Sequence, residues 1–326
     1  MNGGPRPDLS VTLCGVQLPN PFILASGILG TEAELLARVA RAGAGAVTAK
    51  SCSLQPRAGH PNPTVLAWEH GLINAVGLAN PGVEAEVEEL TRARMLLRPL
   101  GSALIASIFA DTVDNFARVA ARVAQAEPDL IEVNISCPNV HDESCAEPCR
   151  TTGTPFAADA GAAAEVTAAV KEAVAGTSAA VPVLVKLSPN VADIAAIARA
   201  VEAAGADGIS AINTLLGMII DVHARRPILA NRTGGLSGPA IRPVAVRCVY
   251  EIYKAVSIPI VGMGGVSTGR DAVEMIMAGA TAVGVGSAVY GEGPEAFGRI
   301  RDEMAALMTE LGYERVDEMK GAAHRS

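Results

Sequence analysis

Eight short runs rich in Val, Ile and Ala recur along the chain, separated for the most part by longer stretches with helical spacing. They are residues 21–25 (PFILA), 46–50 (AVTAK), 103–108 (ALIASI), 130–135 (LIEVNI), 183–187 (VLVKL), 208–212 (GISAI), 259–262 (PIVG) and 282–285 (AVGV). None alternates polar with apolar, so each reads as a strand buried on both faces, the signature of a parallel sheet. Between them, residues 31–42 (TEAELLARVARA) read as a helix, with Thr31 as N-cap and Glu34 closing a capping box. Residues 113–126 and 192–204 carry apolar positions at i, i+3 and i+4, and 271–278 form a helix stopped by Gly279. Ala-Gly-Ala recurs at 42–44, 204–206 and 278–280, each time just before a strand; Gly there suits the left-handed residue that ends a helix. Eight parallel βα units predict an α/β fold of the (β/α)8 TIM-barrel type more naturally than an open doubly wound sheet.

Three segments stand outside that rhythm. Residues 11–18 (VTLCGVQL) read as a short β-hairpin ahead of the barrel. Residues 139–159 have no periodicity and read as a long loop after strand four, a length usually tied to function. Residues 161–180 are Ala-rich and read as a helix followed by a polar turn. With no linker in view, residues 1–326 are expected to form one domain.

Composition narrows the function classes. The chain is 50% hydrophobic and 18% charged, which supports a large core and argues against disorder. A net charge of −8 with no Lys/Arg-rich run argues against nucleic acid as a partner. No apolar run reaches the roughly 18 residues that span a bilayer, and residues 1–10 lack the apolar core of a signal peptide, so no membrane partner and a cytoplasmic location are expected. Six Cys are too sparse for a disulfide scaffold.

In a barrel, chemistry gathers where strands end. Those ends carry Ser26, Lys50 with Ser51, Ser107, Asn134 with Ser136 and Cys137, Lys186 with Ser188, and Asn213 with Thr214. Two lysines at buried ends need an explanation, because an unpaired buried ammonium is costly. A local carboxylate can neutralise either one; taken together with the asparagines, a shared anionic ligand is the better explanation. Gly262-Met263-Gly264-Gly265 follows strand seven and Gly284-Val285-Gly286-Ser287 follows strand eight, the places where barrels bind phosphate through backbone N–H groups.

Cys137 lies in Asn134-Ile135-Ser136-Cys137-Pro138-Asn139, where Pro138 breaks the strand. A thiol at that break suits a nucleophile or general base, although most cysteines are simply small buried hydrophobes. That bland reading is preferred for Cys14, Cys52 and Cys248. Cys145 and Cys149, with His141 and Cys137 upstream, match no common zinc or iron–sulfur spacing and read as a loop thiol pair, so no metal is expected. His60, His70, His223 and His324 show no paired spacing.

Taken together these motifs resemble the dihydroorotate dehydrogenases, flavin-containing (β/α)8 barrels of pyrimidine synthesis. The resemblance spans residues 9–291. It rests on Ala49-Lys50-Ser51, Asn74-Ala75-Val76-Gly77-Leu78, Asn134 to Asn139, Asn213-Thr214, Gly234-Gly235-Leu236-Ser237-Gly238-Pro239 and Gly262 to Gly265. It implies one FMN per chain, its phosphate on Gly264, Gly265, Gly286 and Ser287. Ser26, Lys50, Ser51, Ser107, Asn134, Lys186, Ile212 and Gly238 would meet the rest of the cofactor. Dihydroorotate would be held by Lys50, by Asn74, Ala75, Val76, Gly77 and Leu78, and by Asn134, Asn213 and Thr214; amide side chains suit a ring with both donors and acceptors. The resemblance makes Cys137 the base at substrate C5, with hydride passing from C6 to flavin N5.

Cys137, where the quinone-reducing membrane class uses Ser, implies the cytosolic class. Asn80-Pro81-Gly82 resembles the NAD-linked form of that class. That form implies a homodimer within a heterotetramer, whose second subunit carries FAD and a [2Fe-2S] cluster. Two departures stand out: Ser107 replaces the usual Asn at the end of strand three, and residues 141–156 are longer and richer in Cys than the family pattern. Competing readings are a uracil-type dihydropyrimidine dehydrogenase, a fumarate-linked dihydroorotate dehydrogenase, a non-catalytic barrel subunit, and a phosphate-binding aldolase or isomerase.

Overall fold

The structure is a computed structural model that describes residues 6–136 and 154–325. Eight parallel strands close into a barrel: β1 (Phe22–Leu24), β2 (Ala46–Thr48), β3 (Ala103–Ile108), β4 (Leu130–Asn134), β5 (Val183–Leu187), β6 (Gly208–Ala211), β7 (Ile260–Met263) and β8 (Ala282–Val285). Each pairs with its neighbours in chain order, and β8 closes on β1 through Val283–Phe22, Gly284–Ile23 and Val285–Leu24. All eight match the expected runs to within a residue or two at each end. Every residue of all eight is buried, which is why none showed the alternation of a half-exposed strand.

The N-terminal hairpin is present. Val11–Leu13 pairs antiparallel with Val16–Leu18, and Cys14 (φ 50°) and Gly15 (φ 83°) form the two-residue turn. Positive φ at both positions is the type I′ pattern that suits strand twist. Burial pushes the Cys14 thiol up to about 12, and Cys52 and Cys248 are buried, so all three serve as packing residues.

Helices lie outside the barrel and pack an apolar stripe on it. Ala33–Arg41 buries Leu36, Val39 and Ala40, and Val113–Val123 buries Phe116, Val119 and Val123. The capping box expected at Thr31 does not form: the N-cap is Glu32 with no side-chain cap, and the N–H of Ala33 instead donates to Glu89 Oε2 at 2.9 Å. A carboxylate from the next helix has taken over the capping role, a long-range contact that local spacing cannot reveal. A capping box does form between Thr268 and Asp271 at the start of Gly269–Met277.

The Ala-Gly-Ala junctions behave as expected, with Gly43 (φ 113°), Gly205 (φ 94°) and Gly279 (φ 122°) all left-handed. A second layer was not foreseen. Leu215–Gly217, Gly234–Ser237, Gly71–Asn74 and Val65–Trp68 form a four-stranded antiparallel sheet in that order. Its strands are three or four residues long and come from loops after β2 and β6.

Gly279 provides a test of the barrel junctions. A Cβ there would sit 2.2 Å from Tyr253 Cγ as well as at an unfavourable φ. Gly279→Ala should lower stability by about 2 kcal/mol or more, read as a fall in the urea midpoint with unchanged m.

Candidate active site

The strand ends and the antiparallel sheet enclose a cavity of about 480 Å³. Ser26, Lys50, Ser51, Asn134, Lys186, Ile212, Asn213 and Thr214 line it from the barrel. Asn74, Val76, Gly77, Leu78 and Gly238 line it from the loops, and Gly264, Gly265, Gly286 and Ser287 from the ends of β7 and β8. Closure of the barrel brings together segments more than 200 residues apart.

Two expected residues do not reach the cavity. Ala75 is 1% exposed and packs with Ile73 and Leu229 in a small apolar cluster. Its neighbour Asn74 faces the cavity, as alternation along extended chain requires. Ser107 lies behind the wall. Cys137, and with it His141, Cys145 and Cys149, falls outside the described residues.

The cavity floor is a connected set of hydrogen bonds. Ser26 Oγ donates to Ala49 O at 3.0 Å and lies 3.2 Å from Ser51 Oγ; Ser51 Oγ lies 2.8 Å from Ser107 Oγ. Ser107 in turn donates to Glu132 Oε1 at 3.4 Å. On the next strands, Asn134 Oδ1 accepts from Ser136 N at 3.2 Å, from Ser136 Oγ at 3.0 Å and from Asn213 Nδ2 at 3.4 Å. Asn134 Nδ2 reaches Ser51 Oγ at 3.4 Å, and Asn213 Nδ2 also donates to Ser136 Oγ at 2.8 Å. Each amide is thereby held in one orientation, so donors and acceptors are fixed before a ligand arrives.

Opposite this floor, the turn after β7 carries consecutive left-handed glycines, Gly264 (φ 132°) and Gly265 (φ 76°). A Cβ at Gly264 would meet Ala245 Cβ at 2.7 Å, and one at Gly265 would meet Gly238 O at 2.6 Å, so only glycine fits. Among the described residues, the N–H groups of Gly264, Gly265 and Gly286 donate to no other main-chain group. Helix Ser287–Glu292 begins next to Gly286. Clustered donors of this kind suit a phosphate group.

The two lysines differ. Lys186 Nζ lies 3.3 Å from Glu132 Oε1, both side chains buried. A local carboxylate therefore accounts for Lys186, and the expectation that both lysines face a shared anion needs correction there. Sequence reading passed over Glu132, although a lone charge inside LIEVNI was the available signal. Lys50 feels a different carboxylate: Glu86, on helix Val83–Leu97, is pushed up to about 8 by burial and by Glu89, with Lys50 pulling the other way. Also missed were Ile28, after β1, and Tyr290, on the helix after β8, both cavity-lining. Asn190 was missed as well; it holds Leu215–Gly217 in place, donating to Thr214 O at 3.0 Å and accepting from Leu216 N at 2.9 Å.

A family model described as "Dihydroorotate dehydrogenase" matches residues 8–308. The chain belongs to the dihydroorotate dehydrogenase family. Relatives named "Dihydroorotate dehydrogenase B (NAD(+)), catalytic subunit" cover it almost end to end. That of Methanosarcina mazei is 46% identical over 99% of this chain and 97% of the relative. That of Methanothermobacter thermautotrophicus is 46% identical over 97% of this chain and 98% of its own length. That of Geobacter sulfurreducens is 44% identical over 97% and 98%. No helix among the described residues is long and apolar enough to cross a membrane. Ser107, near the end of β3, is too far back to line the cavity and instead connects Ser51 to Glu132.

Glu86 makes stability pH-dependent. The fold keeps a proton on Glu86 up to about pH 8, whereas the unfolded chain releases it near the ordinary glutamate value of 4.5. Its contribution is full below about 4.5 and is lost as pH rises through 8. Glu86→Gln should melt with wild-type Tm near pH 4.5 and roughly 5 °C or more above it at pH 8.5.

Proposed function

We propose that this chain is the catalytic subunit of an NAD-linked dihydroorotate dehydrogenase, oxidising (S)-dihydroorotate to orotate in pyrimidine biosynthesis. The observation that carries this reading is one cavity holding both an oriented amide set and a glycine cradle. They occur in a chain 46% identical, over 99% of its length, to a named catalytic subunit.

The cavity fits FMN. The N–H groups at Gly264, Gly265 and Gly286 suit its phosphate, and a side chain at Gly264 or Gly265 would collide with Ala245 or Gly238 and push the turn out of shape. Ser26, Ser51, Lys186, Ile212 and Gly238 line the same cavity and would hold the remainder. When bound, the flavin supplies a two-electron acceptor for the hydrogen leaving substrate C6.

The chain's own residues do the rest. Lys50 balances the substrate carboxylate. Asn74, Asn134, Asn213 and Thr214 bind the ring amides; hydrogen bonds among Asn134, Asn213 and Thr214, and from Asn74 to Gly235 O, keep the amides from rotating. Cys137, one residue beyond Ser136, takes the proton from C5. The Asn74 to Leu78 segment covers the substrate and excludes water. Electrons continue to NAD(+) through a second subunit carrying FAD and a [2Fe-2S] cluster, in a heterotetramer built on a dimer of this chain.

Anaerobic addition of dihydroorotate to the purified yellow protein should bleach the flavin band. A yellow protein that bleaches with dihydrouracil but not dihydroorotate would move the assignment to a uracil-type enzyme. Cys137→Ala should retain FMN and slow bleaching by about 10²–10⁴-fold, the usual worth of a general base; stopped-flow absorbance at the flavin band measures it. Cys145→Ser combined with Cys149→Ser should bleach at the wild-type rate.

A further inference from the structure

Glu132 and Lys186 are 2% and 5% exposed inside a barrel whose other fillings are mostly aliphatic. Taking both charges out of water costs several kcal/mol per ion, and apolar residues of similar volume are often as stable or more so. Stability is therefore a poor reason for the pair. Its placement suggests another. Lys186 lines the cavity, Glu132 does not, and no Asp or Glu is among the described residues that line it. Ser107 adds a second hydrogen bond to the same carboxylate oxygen. Ser210 sits in register beside Lys186, and its buried hydroxyl has no hydrogen-bond partner. The barrel interior thus carries a polar layer immediately behind the cavity.

We propose that Glu132 is a positioning residue that holds Lys186 against the barrel interior and, by cancelling its charge, lowers the reduction potential of the flavin bound in the cavity. This rests on the flavin assignment made above. Facing a bare ammonium, the anionic form of a reduced flavin is stabilised and gives up electrons reluctantly. With Glu132 at 3.3 Å, the pair presents no net charge. That suits a chain whose electrons end on NAD(+), a weak acceptor that needs a strong donor. Ser107 helps to hold the Glu132 carboxylate in place by donating to it, and does so from behind the wall, without occupying cavity space.

The test is the midpoint potential of the FMN-loaded protein, measured by photoreduction against a reference dye at pH 6.5, without substrate. E132Q leaves Lys186 without its counter-charge and should favour the reduced flavin about tenfold, a rise of about 30 mV for a two-electron couple. K186Q leaves Glu132 alone and should shift the potential down. The double variant carries no charge at either position and should lie within threefold of wild type. E132D keeps the carboxylate and should stay close to wild type. An E132Q protein that binds FMN with the wild-type potential overturns the proposal. Should E132Q fail to fold, adding it to K186Q must raise the potential; no rise there overturns the proposal equally. A wild-type protein that stays colourless after FMN is added refutes the flavin assignment instead. A yellow wild type that ignores dihydroorotate refutes the substrate while leaving the potentials measurable.

Discussion

Everything at the active site depends on the closed parallel ladder. Closure pairs β8 with β1, leaves no sheet edge, and forces all eight C-terminal strand ends onto one rim. No local interaction brings Ser26, Asn134 and Gly286 together; they share a cavity because each follows a strand whose register is fixed by two neighbours. The ladder also sets the order of functions around the rim. Serines and Lys50 follow the early strands, amides the middle ones, and the glycine cradle the last two.

The floor of the cavity shows how that ladder is turned into chemistry. Hydrogen bonds run from Ser26 through Ser51 and Ser107 to Glu132 and on to Lys186, crossing five adjacent strands. A second set ties Asn134, Ser136 and Asn213. Side chains that already satisfy one another do not have to reorganise when a ligand arrives, and that preorganisation is where polar sites in a dry cavity gain their effect. The antiparallel sheet completes the enclosure. It is built from short strands donated by two distant loops, and Asn74 Nδ2 binds it to itself through Gly235 O at 3.3 Å.

Electrostatics within the cavity are uneven. Lys186 is matched by a buried carboxylate on the adjacent strand, whereas the carboxylate that Lys50 influences, Glu86, is itself held toward its neutral form by burial. Two lysines that look equivalent in the sequence therefore have different surroundings. One belongs to a neutral pair facing into the barrel, and the other stands at the edge where the loops carrying Asn74 to Leu78 approach.

Most of the fold was legible in the amino-acid order. Doubly buried strands must be continuously apolar, helix ends before strands need a left-handed glycine, and a two-residue hairpin turn needs positive φ, all of them local demands visible in local sequence. The motif residues were legible too, because strand ends and glycine turns declare themselves. What the sequence left open was set by contacts between distant segments. Glu89 rather than Thr31 caps the first helix; Ala75 turns away from the cavity that Asn74 faces; Ser107 retreats behind the wall; and Glu132 claims Lys186. The capping, the retreat of Ser107 and the Glu132–Lys186 pair each depend on which side chain lies across from which on a neighbouring element. That is fixed by barrel register and helix packing, which no single stretch of chain encodes. Ala75 turns on the loop sheet in the same way.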